Sequence, residues 1–290
     1  MAYTILCPTD FSEASDGALK YAVELAHSHG GAVVRLLHVD DLPTYGLPDG
    51  SVLDGPLRAM WRQRLDELAE RFADRVRVEP VLARGRPSTE IVARAAEADL
   101  VVMATRRRNA FTRALLGSVA YEVVRGCPVP VITVDPEMSP GPVRGVLVMV
   151  DGSTPSEHAL DEALRWAERA HATVHLLRAI EVPTHVLPDG ESLFEPELLA
   201  SVRERSAAEL NEILARHPTS ADVRIHVEPG APAEVADRLL DEDETIDVVV
   251  MGTHGRSGLS RFLLGSVAER MLRTCPVPVM VVREERAPTD

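Results

Sequence analysis

Short apolar runs alternate with longer amphipathic segments along the first half of the chain. The amphipathic segments carry apolar residues three and four positions apart, which predicts helices, whereas the apolar runs have the length of buried strands. The predicted strands are residues 3–9, 32–39, 75–82, 99–104 and 129–134, and the predicted helices are 12–30, 56–73, 88–98 and 118–126. Ser88, closely followed by Glu90, is expected to open the third helix.

The chain contains a long internal repeat. Residues 101–134 align without a gap to residues 249–282, and both copies contain LLGSVA and CPVPV. Nearer the start of each half, Asp10 aligns with Asp151 and Ser12 with Ser153. Because each copy spans about 140 residues, the size of a whole domain, the sequence predicts two similar domains rather than a solenoid.

Strands that alternate with helices predict parallel strands joined by right-handed crossovers. We therefore expect an α/β protein with two tandem, open, doubly wound domains, each built on a parallel five-stranded sheet. The expected domains are residues 1–137 and 143–285, joined by the Pro/Gly-rich linker 135–145. Such sheets bind ligands where the strand order reverses, which places the expected site between the ends of strands one and four.

A glycine-rich stretch, GTHGRSGLSRFLLGSV, follows the fourth strand of the second half at residues 252–267. Gly252 and Gly255 allow the backbone to turn sharply and to approach a ligand closely. Gly265 and Ser266 open a helix whose first N–H groups lack intrahelical partners, and such a terminus binds anions. The same residues also suit a turn and a capped helix needed for folding alone.

Two common nucleotide motifs do not occur. The chain has no GxxxxGK[ST], and its one lysine, Lys20, lies on the first predicted helix, which argues against the chemistry of P-loop enzymes. After the first strand of each half stand DFSEAS and DGSTPS, where a dinucleotide-binding domain would carry GxGxxG.

The spacing Gly252-x2-Gly255-x9-Gly265-Ser266 resembles the nucleotide motif of the universal stress protein family, in its ATP-binding branch. The Asp after the first strand, the GxPxxE-like segments that begin at Gly85 and Gly230, and the CPVPV segments also resemble that family. The resemblance covers nearly the whole chain, and it implies a Rossmann-like fold similar to that of the adenine nucleotide alpha hydrolases.

The resemblance also implies a set of binding residues in the second half. The phosphates would contact Gly252, Gly255, Gly265, Ser266 and the amide of Val267, and the adenosine end would contact Asp151, Met251 and Ala179. Two alternatives stay open, because Met251 suits the core as well as a pocket and Asp151 suits a helix cap. His254 suits either a phosphate contact or an exposed loop position.

The first half departs from this motif. Asp10, Val39, Gly117 and Ser118 are its matching candidates, but Ala104 and Arg107 stand where the second half has Gly252 and Gly255. The run of arginines at 106–108 could hold an anion by charge or form a solvated basic patch. We expect the first site to be degenerate or weak.

Composition narrows the classes of function. The 290 residues carry a net charge of −14, which disfavours binding to nucleic acid or to an anionic membrane. Cys7, Cys127 and Cys275 form no CxxC pair, so we expect buried thiols rather than disulfides or a zinc site. With no signal-peptide pattern and no apolar run near the ~20 residues of a membrane span, we expect a cytoplasmic protein.

The predicted function is a stress-response regulator that binds ATP or another adenine nucleotide. Mg²⁺ is left open, and no catalytic residue is assigned. The alternatives are a slow ATPase or a nucleotidyl or phosphoryl transferase on the same scaffold, and an interaction module with both sites empty. For partners, we expect the closing strands at 131–134 and 279–282 to pair within the chain, and we leave open a homodimer and an unknown regulatory protein.

Overall fold

The structure is a computed structural model. It describes residues 2–41, 51–105, 116–136, 138, 141–181, 196–254 and 264–283, without the side chains of residues 51–54 and 196. Contacts between Cα atoms divide the chain into two compact units, residues 1–141 and 142–271, with short C-terminal segments assigned to each.

The first domain alternates strands and helices as the sequence predicts. Its elements are β1 (Thr4–Thr9), α1 (Glu13–Ser28), β2 (Val33–Asp40), α2 (Ser51–Glu70), β3 (Arg77–Arg84), α3 (Pro87–Ala95), β4 (Leu100–Ala104), α4 (Ser118–Gly126) and β5 (Val131–Val134). The strands are parallel, in the order β3-β2-β1-β4-β5.

The second domain repeats this arrangement. Its elements are β6 (Gly145–Met149), α5 (Thr154–Ala170), β7 (Thr173–Ile180), α6 (Pro196–Ala215), β8 (Val223–Pro229), α7 (Pro232–Glu242), β9 (Ile246–Gly252), α8 (Ser266–Thr274) and β10 (Val279–Val282). The parallel order is β8-β7-β6-β9-β10. In each domain the first and fourth strands are neighbours, and the strand order reverses there. The predicted α/β Rossmann-type fold is therefore confirmed, while the pairing of the closing strands stays a prediction.

Two helix starts differ from the sequence prediction. Helix α2 begins at Ser51, so Pro56 lies inside it, where the missing N–H removes one helical hydrogen bond. The cap of α3 is Arg86 rather than Ser88, because Pro87 already supplies the fixed φ of a first helical residue. Ser88 is instead buried, and its hydroxyl donates to Glu122.

Apolar side chains on the central strands form the core of each domain. Residues 100–103 of β4 are buried without a break, as are residues 248–251 of β9, which fits a sheet covered on both faces. The three cysteines are buried thiols, as predicted. Burial raises the pKa of Cys7 and of Cys275 to about 12, so these thiols stay protonated near neutral pH.

A stacked histidine pair lies on β7 and β8 of the second domain. The rings of His175 and His226 are nearly parallel, with their centroids 5.3 Å apart, and His175 is 1% exposed. Neither nitrogen of His175, nor Nε2 of His226, has a hydrogen-bond partner among the described residues. Desolvation lowers the pKa of both imidazoles. The charged groups facing the pair are Arg224, which adds to the lowering, and Asp222, Glu228 and Asp243, which oppose it.

Candidate functional site

A cavity of about 450 Å³ opens at the carboxyl ends of the central strands of the second domain. Its volume lies within the range of about 300–1,000 Å³ that small-molecule sites occupy. Seven of the eight candidates in this half contribute to its lining, namely Asp151, Ala179, Met251, Gly252, Gly265, Ser266 and Val267. The eighth, Gly255, lies outside the described residues, as do the arginines at 106–108 of the first half.

Gly252 ends β9 against the first turn of α5. A Cβ atom at this position would lie 2.8 Å from the carbonyl carbon and oxygen of Pro155 and 3.0 Å from its Cβ. Real Cβ atoms do not approach a backbone so closely, so glycine is required by packing inside the domain itself. This contact also fixes how β9 and α5 meet beside the cavity.

The start of α8 forms one wall of the cavity. Gly265 is the N-cap residue and donates its N–H to the carbonyl of Thr253 at 2.8 Å, which joins the helix to the end of β9. Ser266 is therefore the first helical residue rather than the cap, and no side chain of the described residues caps the helix. The N–H groups of the first turn have no partner within the helix, an arrangement that attracts anions.

Asp151 positions the residue that caps α5. Its Oδ1 atom accepts hydrogen bonds from the backbone N–H of Ser153 at 2.9 Å and from the Ser153 hydroxyl at 2.6 Å. Ser153 is the N-cap residue of the helix, so Asp151 is not itself the cap. The turn that holds Asp151 passes through Gly152 at a φ of 82°, a conformation suited to glycine.

Met251 belongs to the core and to the cavity at once. Its side chain is 5% exposed, and it lines the cavity on the β9 side. Ala179 lies near the end of β7, one residue beyond Arg178. The sequence left open whether Met251 belongs to the core or to a pocket, and in the structure it belongs to both.

Sequence reasoning missed a buried cation in this lining. Arg178 is 7% exposed, and its Nη1 donates to Glu209 at 2.8 Å while its Nε donates to the carbonyl of Val150 at 3.4 Å. Glu181 gives the lining a carboxylate besides that of Asp151. β7 is buried on both faces from Val174 to Arg178, so the sequence pattern of the strand does not show that Arg178 borders a cavity, and only the fold does.

Two further polar side chains line the cavity with unpaired atoms. Thr253 is 3% exposed, and its hydroxyl has no hydrogen-bond partner among the described residues. The same holds for Nδ1 of His254, which is buried rather than turned to solvent. Unpaired buried polar atoms are rare and costly, so the cavity is chemically suited to a polar ligand.

The first-domain candidates lie on the equivalent strand and helix ends. Asp10 again accepts from the backbone N–H of the following serine, Val39 is buried on β2, and Gly117 caps α4, which begins at Ser118. A cavity of about 430 Å³ in this domain lies between α1 and α2, and none of these four residues lines it.

Phe11 replaces Gly152 in the first domain and keeps the positive φ, at 60°. Its ring packs 4.5 Å from the ring of His38 and 5.4 Å from that of Trp61, and the Arg64 guanidinium lies 4.5 Å above it. A bulky residue in this conformation is strained, and the stack offsets the strain. The first domain thus has an aromatic cluster at the turn where the second domain has Gly152, which carries no side chain.

Comparison with known proteins shows where this architecture belongs. The model of the universal stress protein family matches residues 1–135 and again residues 142–283. The chain belongs to the universal stress protein family. A universal stress protein of Mycobacterium tuberculosis is 36% identical over 222 residues, covering 73% of this chain and 71% of that protein. One of Mycolicibacterium smegmatis is 30% identical over 97% of both chains. Membership supports a role in the stress response.

A solved structure agrees on the fold. A universal stress protein from Archaeoglobus fulgidus matches with a TM-score of 0.73 and 24% identity, covering 97% of this chain and 98% of that one. At this identity the likeness shows the fold alone. Among the described helices, none combines the length and the apolar character that crossing a membrane requires.

Proposed function

We propose that this universal stress protein binds ATP or another adenine nucleotide in the cavity of its second domain, and that occupancy regulates its action in stress. The observation that carries the proposal is the lining itself. It brings the first amides of α8, which have no partner within the helix, together with polar atoms of Thr253 and His254 that have no hydrogen-bond partner among the described residues. Phosphate oxygens are strong acceptors that suit such donors.

The lining also provides for the other parts of a nucleotide. Met251 and Ala179 offer apolar surface for a base, and Asp151 offers a carboxylate for a ribose hydroxyl. A Mg²⁺ ion carried by the phosphates would neutralise their charge, and carboxylates such as Asp151 are its usual protein ligands. The first domain lacks the equivalent glycine at Ala104, so we expect it to bind nucleotide weakly or not at all.

The test compares Ser266→Asp with Ser118→Asp in the full chain. Both serines are exposed first residues of their helices, where a carboxylate stabilises the helix and repels phosphate. By calorimetric titration, we expect Ser266→Asp to weaken ATP binding at least about tenfold while Ser118→Asp leaves it unchanged. If only Ser118→Asp loses ATP binding, the nucleotide binds in the first domain and the proposed location is wrong.

The same titration separates a regulator from the enzyme alternatives. A nucleotide that is recovered unchanged after long incubation supports a binding protein, whereas release of phosphate or transfer of a phosphoryl group favours a slow ATPase or transferase. If the unaltered protein takes up no adenine nucleotide at all, the proposal is wrong and the chain acts through its surface.

A further inference from the structure

We infer that Thr253 and His254 bind the phosphate groups of the ligand through their side chains, in addition to the backbone amides of α8. The inference rests on the proposed function and assigns two specificity-determining residues to that site. It would make the site select for phosphorylated ligands over their nucleosides.

Thr253 carries the first part of the argument. Its backbone is fully engaged, since its N–H donates to the carbonyl of Val282 and its carbonyl accepts from Gly265. Its side chain is almost completely buried, yet the hydroxyl is unpaired among the described residues. A buried hydroxyl without a partner costs free energy, so its retention at the cavity points to a partner that arrives with the ligand.

The first domain provides the internal comparison. Thr105 occupies the equivalent place after β4, and it too is buried, at 6% exposed. Its N–H also donates to the closing strand, at the carbonyl of Val134, but its hydroxyl donates to that same carbonyl at 3.4 Å. The two domains thus share the residue and the backbone bond, and they differ in whether the hydroxyl is already used.

His254 extends the same wall of the cavity. Its Nδ1 atom is buried and unpaired among the described residues, one position beyond Thr253. An imidazole with the proton on Nδ1 donates to an oxygen, and a hydroxyl donates as well. With the first amides of α8, these side chains present donors from two elements toward one volume, which suits a tetrahedral oxyanion better than a planar apolar ring.

The experiment uses the full chain with Thr253→Val, which removes the hydroxyl and keeps the shape, and with Thr105→Val as the matched control. We expect Thr253→Val to leave the melting temperature of the nucleotide-free protein unchanged or raised, because an unpaired buried hydroxyl is lost. ATP affinity should fall about tenfold, as expected for one hydrogen bond to a charged group. Adenosine affinity should not change.

Companion variants keep the result interpretable. Thr253→Ser retains the hydroxyl and should bind ATP like the unaltered protein. His254→Phe should weaken ATP binding but not adenosine binding, and His254→Asn should restore part of it, because the asparagine amide can donate from near the position of Nδ1. Thr105→Val should leave ATP affinity unchanged.

The outcomes show separately whether this inference fails and whether the proposed nucleotide binding fails. If the unaltered protein binds ATP and Thr253→Val and His254→Phe bind it equally well, the inference is wrong and the proposed function stands. A lower melting temperature of nucleotide-free Thr253→Val would also overturn it, because the hydroxyl would then have a partner within the protein. If ATP does not bind the unaltered protein, both the function and the inference are wrong.

Discussion

Replacing Gly252 by alanine tests whether the end of β9 is shaped by packing against α5. The added methyl group would meet the backbone of Pro155 at 2.8 Å, and backbone atoms cannot move aside as a flexible side chain does. The strand end or the first turn of the helix must therefore shift. Because both elements border the cavity, we expect the variant to lose stability and ligand affinity together.

The expected loss follows from the overlap. Overpacking by one methyl group in a well-packed interior typically costs about 1–3 kcal/mol. The upper part of that range applies here, since three atoms of one rigid proline lie at 3.0 Å or less from the new carbon. We therefore expect the second domain to lose about 2–3 kcal/mol of its free energy of unfolding.

The two tryptophans make a domain-specific assay available. Trp61 lies on α2 of the first domain, and Trp166 is buried on α5 of the second. In a Trp61→Phe background, fluorescence during urea unfolding reports on Trp166 and hence on the helix that Gly252 contacts. ATP titration of the same variants gives the accompanying change in affinity.

The matched control is Ala104→Gly, the reverse change at the equivalent position of the first domain. It should cost that domain about 0.5–1 kcal/mol through backbone entropy and leave the unfolding of the second domain unchanged. If Gly252→Ala unfolds at the same urea concentration as the unaltered protein, the close approach to Pro155 does not constrain the domain. The assignment of this glycine to packing would then be refuted.

Two further predictions concern the same domain. Burial holds the pKa of His175 and of His226 below the ordinary value of about 6.5. As pH falls, these histidines therefore bind protons in the unfolded chain before they do so in the folded one. The free energy of unfolding that is present above pH ~6.5 should thus decrease progressively below it. Trp166-monitored unfolding at several pH values should show this slope, and a His175→Gln/His226→Gln double variant that kept the whole slope would contradict it. Gly152→Ala should destabilise the domain by about 1–2 kcal/mol, since φ is 82° there, and an unchanged urea midpoint would argue against that strain.

The sequence by itself determined the order of the elements and the duplication. Apolar runs such as residues 100–103 are buried on both faces, so their composition fixes them as central strands, and the intervening helices then require parallel pairing. It also predicted where the cavity of the second domain opens, because the strand order reverses wherever such a sheet is doubly wound. The sequence did not determine every helix start, because α3 begins at Pro87 and the expected opening residue, Ser88, lies inside the helix.

Only the tertiary structure decided what individual side chains do at that mouth. Thr105 and Thr253 both follow the sequence Val-Val-Met and one small residue, which is Ala104 in the first domain and Gly252 in the second. Yet among the described residues the hydroxyl of Thr105 has a hydrogen-bond partner and that of Thr253 has none. Gly252 looks like a ligand-facing glycine in the motif, but its first constraint comes from Pro155, far away along the chain. Periodicity records which face of an element is buried, whereas cavities and unpaired atoms arise from contacts between elements distant in sequence, and these the chain specifies only once it is folded.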